Sequence, residues 1–407
     1  MAAIFTADSK RLLRDLDALR EIGRVSTGVV RPAFSEADID ARAWLVQRME
    51  EAGLEVSVDA LGNVFGLPPG NAPALLVGSH SDTQPEGGWL DGAYGVIAGL
   101  ELARASLEQG GPPIACVSFQ DEEGRFGNLI GSRYWTGALS LEEADLGCDD
   151  DGLSLAQARV SRDRLPAPRA VSPERFHGFL ELHIEQGGLL DLAGEQIGVV
   201  GAIVGIRTER MRFTGEQNHA GTTLMHLRRD AFQGLVTLAT RLNERLAEVA
   251  TPATVWTIGR VDLQPNANSV VPGRADFTLQ WRDGEEARLD QMRDIIYATA
   301  EEVAAEKNLT WERFGCDSLP PTLSDPGLVS ALSQAAGELA PGKWRVMTSG
   351  ALHDAANLSE RMPMAMLFVP SIAGISHSFA EDTARADLEL GLHVAAEAIC
   401  RYCRTQG

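Results

Sequence analysis

Short apolar runs alternate along this chain with longer stretches whose apolar residues recur at helical spacing. Residues 8–23 and 36–52 read as helices. Ser35 with Asp38 opens the second in a capping-box-like pair, and Gly53 stops it. The runs 54–58, 63–66, 74–77, 114–119 and 179–184 read as strands. Run 74–77 leads through a glycine-bearing turn to Asp91 and a helical pattern carrying Val96, Ile97, Leu100 and Leu102. Residues 140–175 are polar, carry Pro166, Pro168 and Pro173, and read as a surface excursion. Strands and helices in alternation, with polar residues at the strand tips, predict a parallel-rich α/β domain.

The pattern changes near Ile206. Residues 207–214 alternate like a half-buried strand, with Met211 and Phe213 on one face. A helix over 225–249, strands over 254–261 and 274–281, a helix over 285–306 and a strand over 309–314 follow. The order β-α-β-β-α-β is the split βαβ arrangement, a ferredoxin-like unit. It predicts an insert, residues 207–319, within a first domain made of 1–206 and 320–407, with 318–321 as the return linker. The first pattern resumes with a helix over 326–338, strands over 344–347 and 364–369, and a helix from Ala386.

Composition narrows the function classes. The 407 residues suffice for two domains, and a 44% hydrophobic fraction fills a core. With 36 basic and 57 acidic side chains the net charge is -21. Such a field repels nucleic acid and anionic membrane, so neither is expected as a partner. An anionic small substrate would need local positive charge at its site. There is no signal-like apolar segment near the start and no membrane-length apolar window. Cysteines 116, 148, 316, 400 and 403 are too few for a disulfide scaffold, and a cytoplasmic location is expected. Cys400 and Cys403 have CxxC spacing but sit in a helical pattern, and read as core and surface thiols.

The candidate chemistry gathers at strand tips, the edge of an open α/β sheet where ligands bind. His80 and Asp82 stand just past the run 74–77, and Asp91 opens the next helix. Glu122 and Glu123 end the run 114–119, His183 lies near the end of 179–184, and His377 follows 364–369. One strand-end histidine is more often hydrogen-bonded structure than a ligand; His177, His226 and His393 are read so, and His353 as a supporting residue. Three histidines and two carboxylates at the tips of one sheet are not explained as solvated surface. His80, Asp91, Glu123, His183 and His377 offer nitrogen and oxygen only, which suits hydrolytic Zn²⁺, Mn²⁺, Co²⁺ or Ni²⁺ rather than structural zinc. Asp91 could bridge two ions, with His80 and His183 on one and Glu123 and His377 on the other. Water between two ions roughly 3.5–4 Å apart is a competent nucleophile at neutral pH. Glu122 is the spare carboxylate beside Glu123 and the natural general base.

These residues carry a resemblance. GSHSDTQPEGGWLDGAYGVIAGLE, FQDEEGRFG, ELHIEQG, GEQNHAGTTLM, SGALHDA and FVPSIAGISHS stand in the order found in the hydantoinase/carbamoylase family of dinuclear metal amidohydrolases. That family belongs to the superfamily of aminoacylases and co-catalytic zinc carboxypeptidases, and the resemblance covers nearly the whole chain. It implies a zinc-peptidase-like catalytic domain with two divalent ions per subunit, held by His80, Asp91, Glu123, His183 and His377, Asp91 bridging. It implies Glu122 as acid/base, Asp82 as the carboxylate orienting His80, and His219 as an oxyanion donor reaching the partner subunit's site. Gln186, Arg207 and Arg282 match substrate-contacting positions, and the inserted unit matches a dimerisation and lid domain. Substrates of the family are N-carbamoyl-L-amino acids, N-carbamoyl-β-alanine and allantoate, all carboxylates.

The expectation is therefore a homodimeric hydrolase that removes the carbamoyl group of an N-carbamoyl-L-amino acid, releasing amino acid, CO₂ and ammonia. Allantoate, N-carbamoyl-β-alanine or dipeptide hydrolysis are the alternatives, and a silent binding relative is the alternative of another class. The chain departs from the common family pattern at Ser269, where Asn is usual and Asn268 stands one earlier, so either could contact substrate. It departs again at Gln280 for Asp, Leu224 for Pro, and Trp89 and Leu90 beside the bridging carboxylate.

Overall fold

The computed structural model describes residues 5–161 and 164–406. Its chain divides into two compact units. The first, residues 1–201, 323–347 and 351–407, is built on a mixed nine-stranded sheet. The strand order is Thr322–Leu323, Ile197–Ile203, Met364–Val369, Phe176–Ile184, Ala74–His80, Ile114–Phe119, Val64–Leu67 and Glu55–Val58, with Trp344–Ser349 also paired to Ile197–Ile203. The four central strands, from Met364–Val369 to Ile114–Phe119, run parallel, and antiparallel strands extend the sheet on both sides. Parallel strands must be covered on both faces. Accordingly every residue of Ala74–His80, Ile114–Phe119 and Met364–Val369 is buried.

The helix Ala93–Gln109 lies against this sheet because of two glycines. A Cβ on Gly95 would meet Leu182 O at 2.4 Å, and one on Gly99 would meet Val77 O at 2.4 Å. The close approach presents the helix start, and Asp91 just before it, to the tips of the His80 and His183 strands. The helices Ser9–Glu21, Pro326–Leu339 and Arg385–Gln406 add their apolar faces to the same core.

The second unit comprises residues 202–322 with 348–350. Its four strands are antiparallel in the order Val255–Gln264, Arg274–Asp283, Gly205–Thr214, Thr310–Leu319. The helices Ala231–Ala247 and Glu286–Lys307 bury Met211, Phe213, Phe277, Leu279 and Trp281 beneath them. The expected insert 207–319 lies inside this unit.

Several elements differ from the expectation. Ile197–Ile203 is a strand that the sequence reading missed. Two of its seven residues are glycine, and it pairs antiparallel, outside any β-α-β pattern. The helix expected from residue 225 begins at Ala231, because the Asp230 carboxylate caps it by accepting from the Phe232 and Gln233 amides. Before it, Met225–Leu227 forms a 3₁₀ turn. Residues 140–175 are not wholly irregular: Ser140 and Ser154 each open a short helix with a complete capping box. The last strand of the second unit continues to Leu319, through residues expected to be linker.

Candidate metal centre

The first unit brings His80, Asp82, Asp91, Glu122, Glu123, His183 and His377 together. Asp91 is the centre. Its Oδ1 lies 3.1 Å from His183 Nε2 and 3.6 Å from His80 Nε2. Its Oδ2 lies 3.2 Å from His377 Nε2, which is 3.5 Å from Glu123 Oε2. Two groups able to hold a metal ion, His80–Asp91–His183 and Asp91–Glu123–His377, therefore share one carboxylate and divide its oxygens.

Each imidazole is aimed by its other nitrogen. His183 Nδ1 is 2.8 Å from the Ile184 carbonyl and His80 Nδ1 is 3.1 Å from the Asp82 carbonyl. Nδ1 faces a carbonyl in both, which turns Nε2 toward Asp91. The Asp82 side chain does a second task. Its Oδ2 accepts from the Glu123 amide at 3.2 Å, and its Oδ1 lies 3.7 Å from His80 Nδ1. Asp82 thus ties the turn bearing Glu122 and Glu123 to the His80 strand. Behind it, Arg42 lies 3.9 Å from Asp82 and donates to the Phe119 carbonyl at 2.8 Å. Gln84 Nε2 donates to Glu123 Oε2 at 2.8 Å.

Backbone geometry completes the placement. Gly92 has φ 63, and a Cβ there would lie 2.5 Å from the His80 ring. A side chain at this position would push the imidazole aside. Asp121 has φ 53 and accepts from the Arg125 and Phe126 amides, which turns Glu122 and Glu123 out of strand direction. Glu122 Oε2 sits 3.6 Å from His80 Nε2.

Burial and mutual charge displace every titration here. Burial, then the charge of Asp354 and Glu123, raises Glu122 well above the usual carboxylate range, against the pull of His80. Burial and Asp91 push Glu123 up to about 7. Burial opposes ionisation of Asp91, but hydrogen bonds from His183, His377 and His80 hold its pKa well below normal. The hydrogen bond to Asp91, against burial, raises His377 to about 9. Buried carboxylates need opposite charge, and a nitrogen- and oxygen-only donor set suits borderline divalent ions. The residues present fit such ions.

Sequence reasoning did not single out Glu381. Its Oε1 accepts from the Leu90 and Asp91 amides at 3.1 and 3.0 Å, and its Oε2 accepts from Ser376 Oγ at 2.8 Å. No local motif marks this residue; only the folded loop brings it to Asp91. Trp89 and Leu90, next to Asp91, are 3% and 0% exposed and belong to the core. The Arg20 and Arg385 guanidiniums lie over the Trp89 ring, at 4.6 and 5.7 Å from its centroid. Gln186 Nε2 donates to Asp91 Oδ2 at 2.9 Å.

The other candidates belong to the second unit. His219 Nδ1 accepts from the Gly221 and Thr222 amides at 3.0 and 3.1 Å. That fixes the tautomer with hydrogen on Nε2, on an exposed ring. Arg228 braces the turn by donating to the Ala220 and Thr223 carbonyls. Arg282 donates to Gln280 Oε1 and to the Gly350 carbonyl. Arg207 is already engaged by Glu286 and the Leu319 carbonyl. Asn268 and Ser269 are both exposed, and the Ser269 carbonyl accepts from the Ala220 amide at 3.0 Å.

A parallel-rich sheet with a carboxylate shared between two histidine groups is an arrangement suited to hydrolysis at divalent ions. Residues 76–401 match the family described as Peptidase family M20/M25/M40. The chain is 38% identical to N-carbamoyl-L-amino acid amidohydrolase of Geobacillus stearothermophilus, over 95% of this chain and 96% of that one. It is 33% identical to allantoate amidohydrolase of Escherichia coli, over 91% and 92%. A crystal structure of an amidase of the hydantoinase/carbamoylase family from Burkholderia phymatum superposes with TM-score 0.92 at 43% identity, covering all of both chains. The chain belongs to the M20/M25/M40 family and, within it, to the hydantoinase/carbamoylase amidases, hydrolases of linear amide C–N bonds. Among the described residues, no helix is long and apolar enough to cross a membrane.

Proposed function

We propose that this protein hydrolyses N-carbamoyl-L-amino acids, releasing the amino acid, CO₂ and ammonia. The observation that carries the reading is the division of Asp91's two oxygens between two histidine groups, with Glu122 left unspent beside them. His80, His183 and Asp91 would hold one divalent ion, and Asp91, Glu123 and His377 a second. The attacking water would gain its acidity, and the carbamoyl carbonyl its polarisation, from ions held by these residues. Glu122 takes the proton of that water and passes it to the leaving amine. His219 donates from Nε2 to the developing oxyanion. Arg282 binds the carboxylate of the substrate, with Gln186 and Asn268 or Ser269 as further contacts. Arg207 would need to leave Glu286 to join them.

The protein acts as a homodimer through the second unit. The edge strand Val255–Gln264 supports this, since it has a sheet neighbour on one side only and exposes Val255 and Val261. Purified protein supplied with Mn²⁺, Zn²⁺, Co²⁺ or Ni²⁺ and given a panel of ureido acids tests the function by ammonia release. Highest kcat/KM on N-carbamoyl-L-amino acids is the expected result. The likeness to an allantoate amidohydrolase supports a second reading, and a preference for allantoate in the same panel would establish it. No turnover of any ureido acid removes both.

A further inference from the structure

The face of the second unit's sheet opposite its helices is rich in arginine, and nearly all of that charge is spent. Asp276 accepts from both Arg212 and Arg274, and Arg210 and Arg260 pair with Asp317 and Asp262. Of the arginines described in residues 202–322, Arg228 and Arg282 alone have no carboxylate within 4 Å. Arg228 is absorbed by the His219 turn. Arg282 is held instead by a neutral residue.

Gln280 lies two residues before Arg282 on the same strand, so both side chains share one face. Gln280 Oε1 accepts from Arg282 Nε at 3.1 Å and from Nη2 at 3.0 Å. Gln280 Nε2 donates to Thr208 Oγ1 at 3.0 Å, on the residue opposite it in the neighbouring strand. The amide is therefore fixed with its oxygen toward the guanidinium. Arg282 Nη1 donates to the Gly350 carbonyl at 3.1 Å. Of the five N–H groups of a guanidinium, three are accounted for by these contacts, which leaves one on each Nη to donate to a carboxylate.

We propose that Gln280 is a specificity-determining positioning residue: it orients Arg282 without neutralising it, so the open fork keeps its full charge for a substrate carboxylate. A carboxylate, such as the Asp usual at this position in the family, could also hold the guanidinium, as Asp276 holds two arginines four residues earlier, but it would offset part of the charge. The inference rests on the ureido-acid reading above. Its chemistry is selection of anionic over neutral ureides in a protein whose net charge of -21 otherwise repels anions.

The test compares the metal-loaded wild type with Gln280→Glu and Gln280→Met, on an N-carbamoyl-L-amino acid and on its neutral carboxamide. For Gln280→Glu, KM for the acid should rise roughly ten-fold or more while kcat stays within about three-fold. Kinetics on the carboxamide should not change. Gln280→Met removes the acceptor and adds no charge, so its KM on the acid should rise less. Equal KM values for wild type and Gln280→Glu, or equal losses on acid and carboxamide, overturn the proposal. If Gln280→Glu does not fold, unchanged KM in Gln280→Met overturns it. If the wild type turns over neither compound, the functional reading falls. The acid is then a plain ligand, and calorimetric titration decides on Gln280 alone: ten-fold weaker binding by Gln280→Glu is expected, and equal binding overturns the proposal.

Discussion

Glu381 Oε1 accepts the backbone amide of Asp91 at 3.0 Å, so a residue 290 positions away in the chain fixes the loop that carries the shared carboxylate. The same side chain accepts from Ser376, beside His377. A Cβ on Gly88 would lie 1.9 Å from Glu381 Oε1, so that glycine is what lets the carboxylate in. Supporting contacts of this kind are worth roughly 10–100-fold in metal affinity. Glu381→Ala should lower ion affinity by about that factor, measured by competition with a chelator, with little change in far-UV dichroism. Unchanged affinity would show that Asp91 is held well enough without it.

The proposed role of Glu122 is to move a proton and not to hold an ion. Glu122→Gln should cut turnover roughly 10²–10⁴-fold while the protein still binds its metal in the wild-type ratio, as read by elemental analysis. Near-normal turnover would remove Glu122 from the mechanism, and loss of metal would make it a ligand.

Ion binding should depend on pH in a defined direction. His377 is raised from 6.5 to about 9 by Asp91, and Glu123 from 4.5 to about 7 by burial. Without ions His377 is protonated below about 9 and Glu123 below about 7, and both must lose that proton to serve as ligands. Affinity should therefore rise with pH through this window, with net proton release. Folding follows the same sign: a proton bound more tightly in the native state stabilises it below the native pKa, and that contribution fades as pH rises through it. The ion-free protein should thus lose stability between about pH 4.5 and 9, and ions should restore it. Calorimetry in two buffers of different ionisation enthalpy measures the proton release. Affinity independent of pH would contradict the assignment of His377 as a ligand.

At Gly92, φ 63 and the His80 ring exclude a side chain. Gly92→Ala should cost about 1 kcal/mol for the backbone alone, seen as a lower melting temperature, and should weaken ion binding as the imidazole is displaced. Wild-type affinity in a folded Gly92→Ala protein would show that the ring has room to move.

His219 is held as an Nε2–H donor by two amides on Nδ1. Removing an oxyanion donor costs roughly 10²–10³ in kcat. His219→Ala should show that loss with KM nearly unchanged. A change confined to KM would make His219 a ground-state binding residue.

Most of the elements, and the residues of the candidate site, were legible in the chain's pattern. Mostly apolar buried runs with His80 and His183 at their ends, and Glu123 just past one, mark parallel strands, because strands covered on both faces read as near-continuous apolar runs. The second unit was legible because alternation along 207–214 and 274–281 shows one covered face. Ile197–Ile203 was not, since glycines thin its pattern and its antiparallel partner lies more than 160 residues away. Folding alone sets how the Asp91 oxygens divide, brings Glu381 to the Asp91 amide, and places Trp89 and Leu90 in the core. It alone left Arg282 without a carboxylate, held by Gln280. These are relations between atoms on separate loops or opposite faces, set by packing distances of a few ångströms that no spacing along the chain encodes.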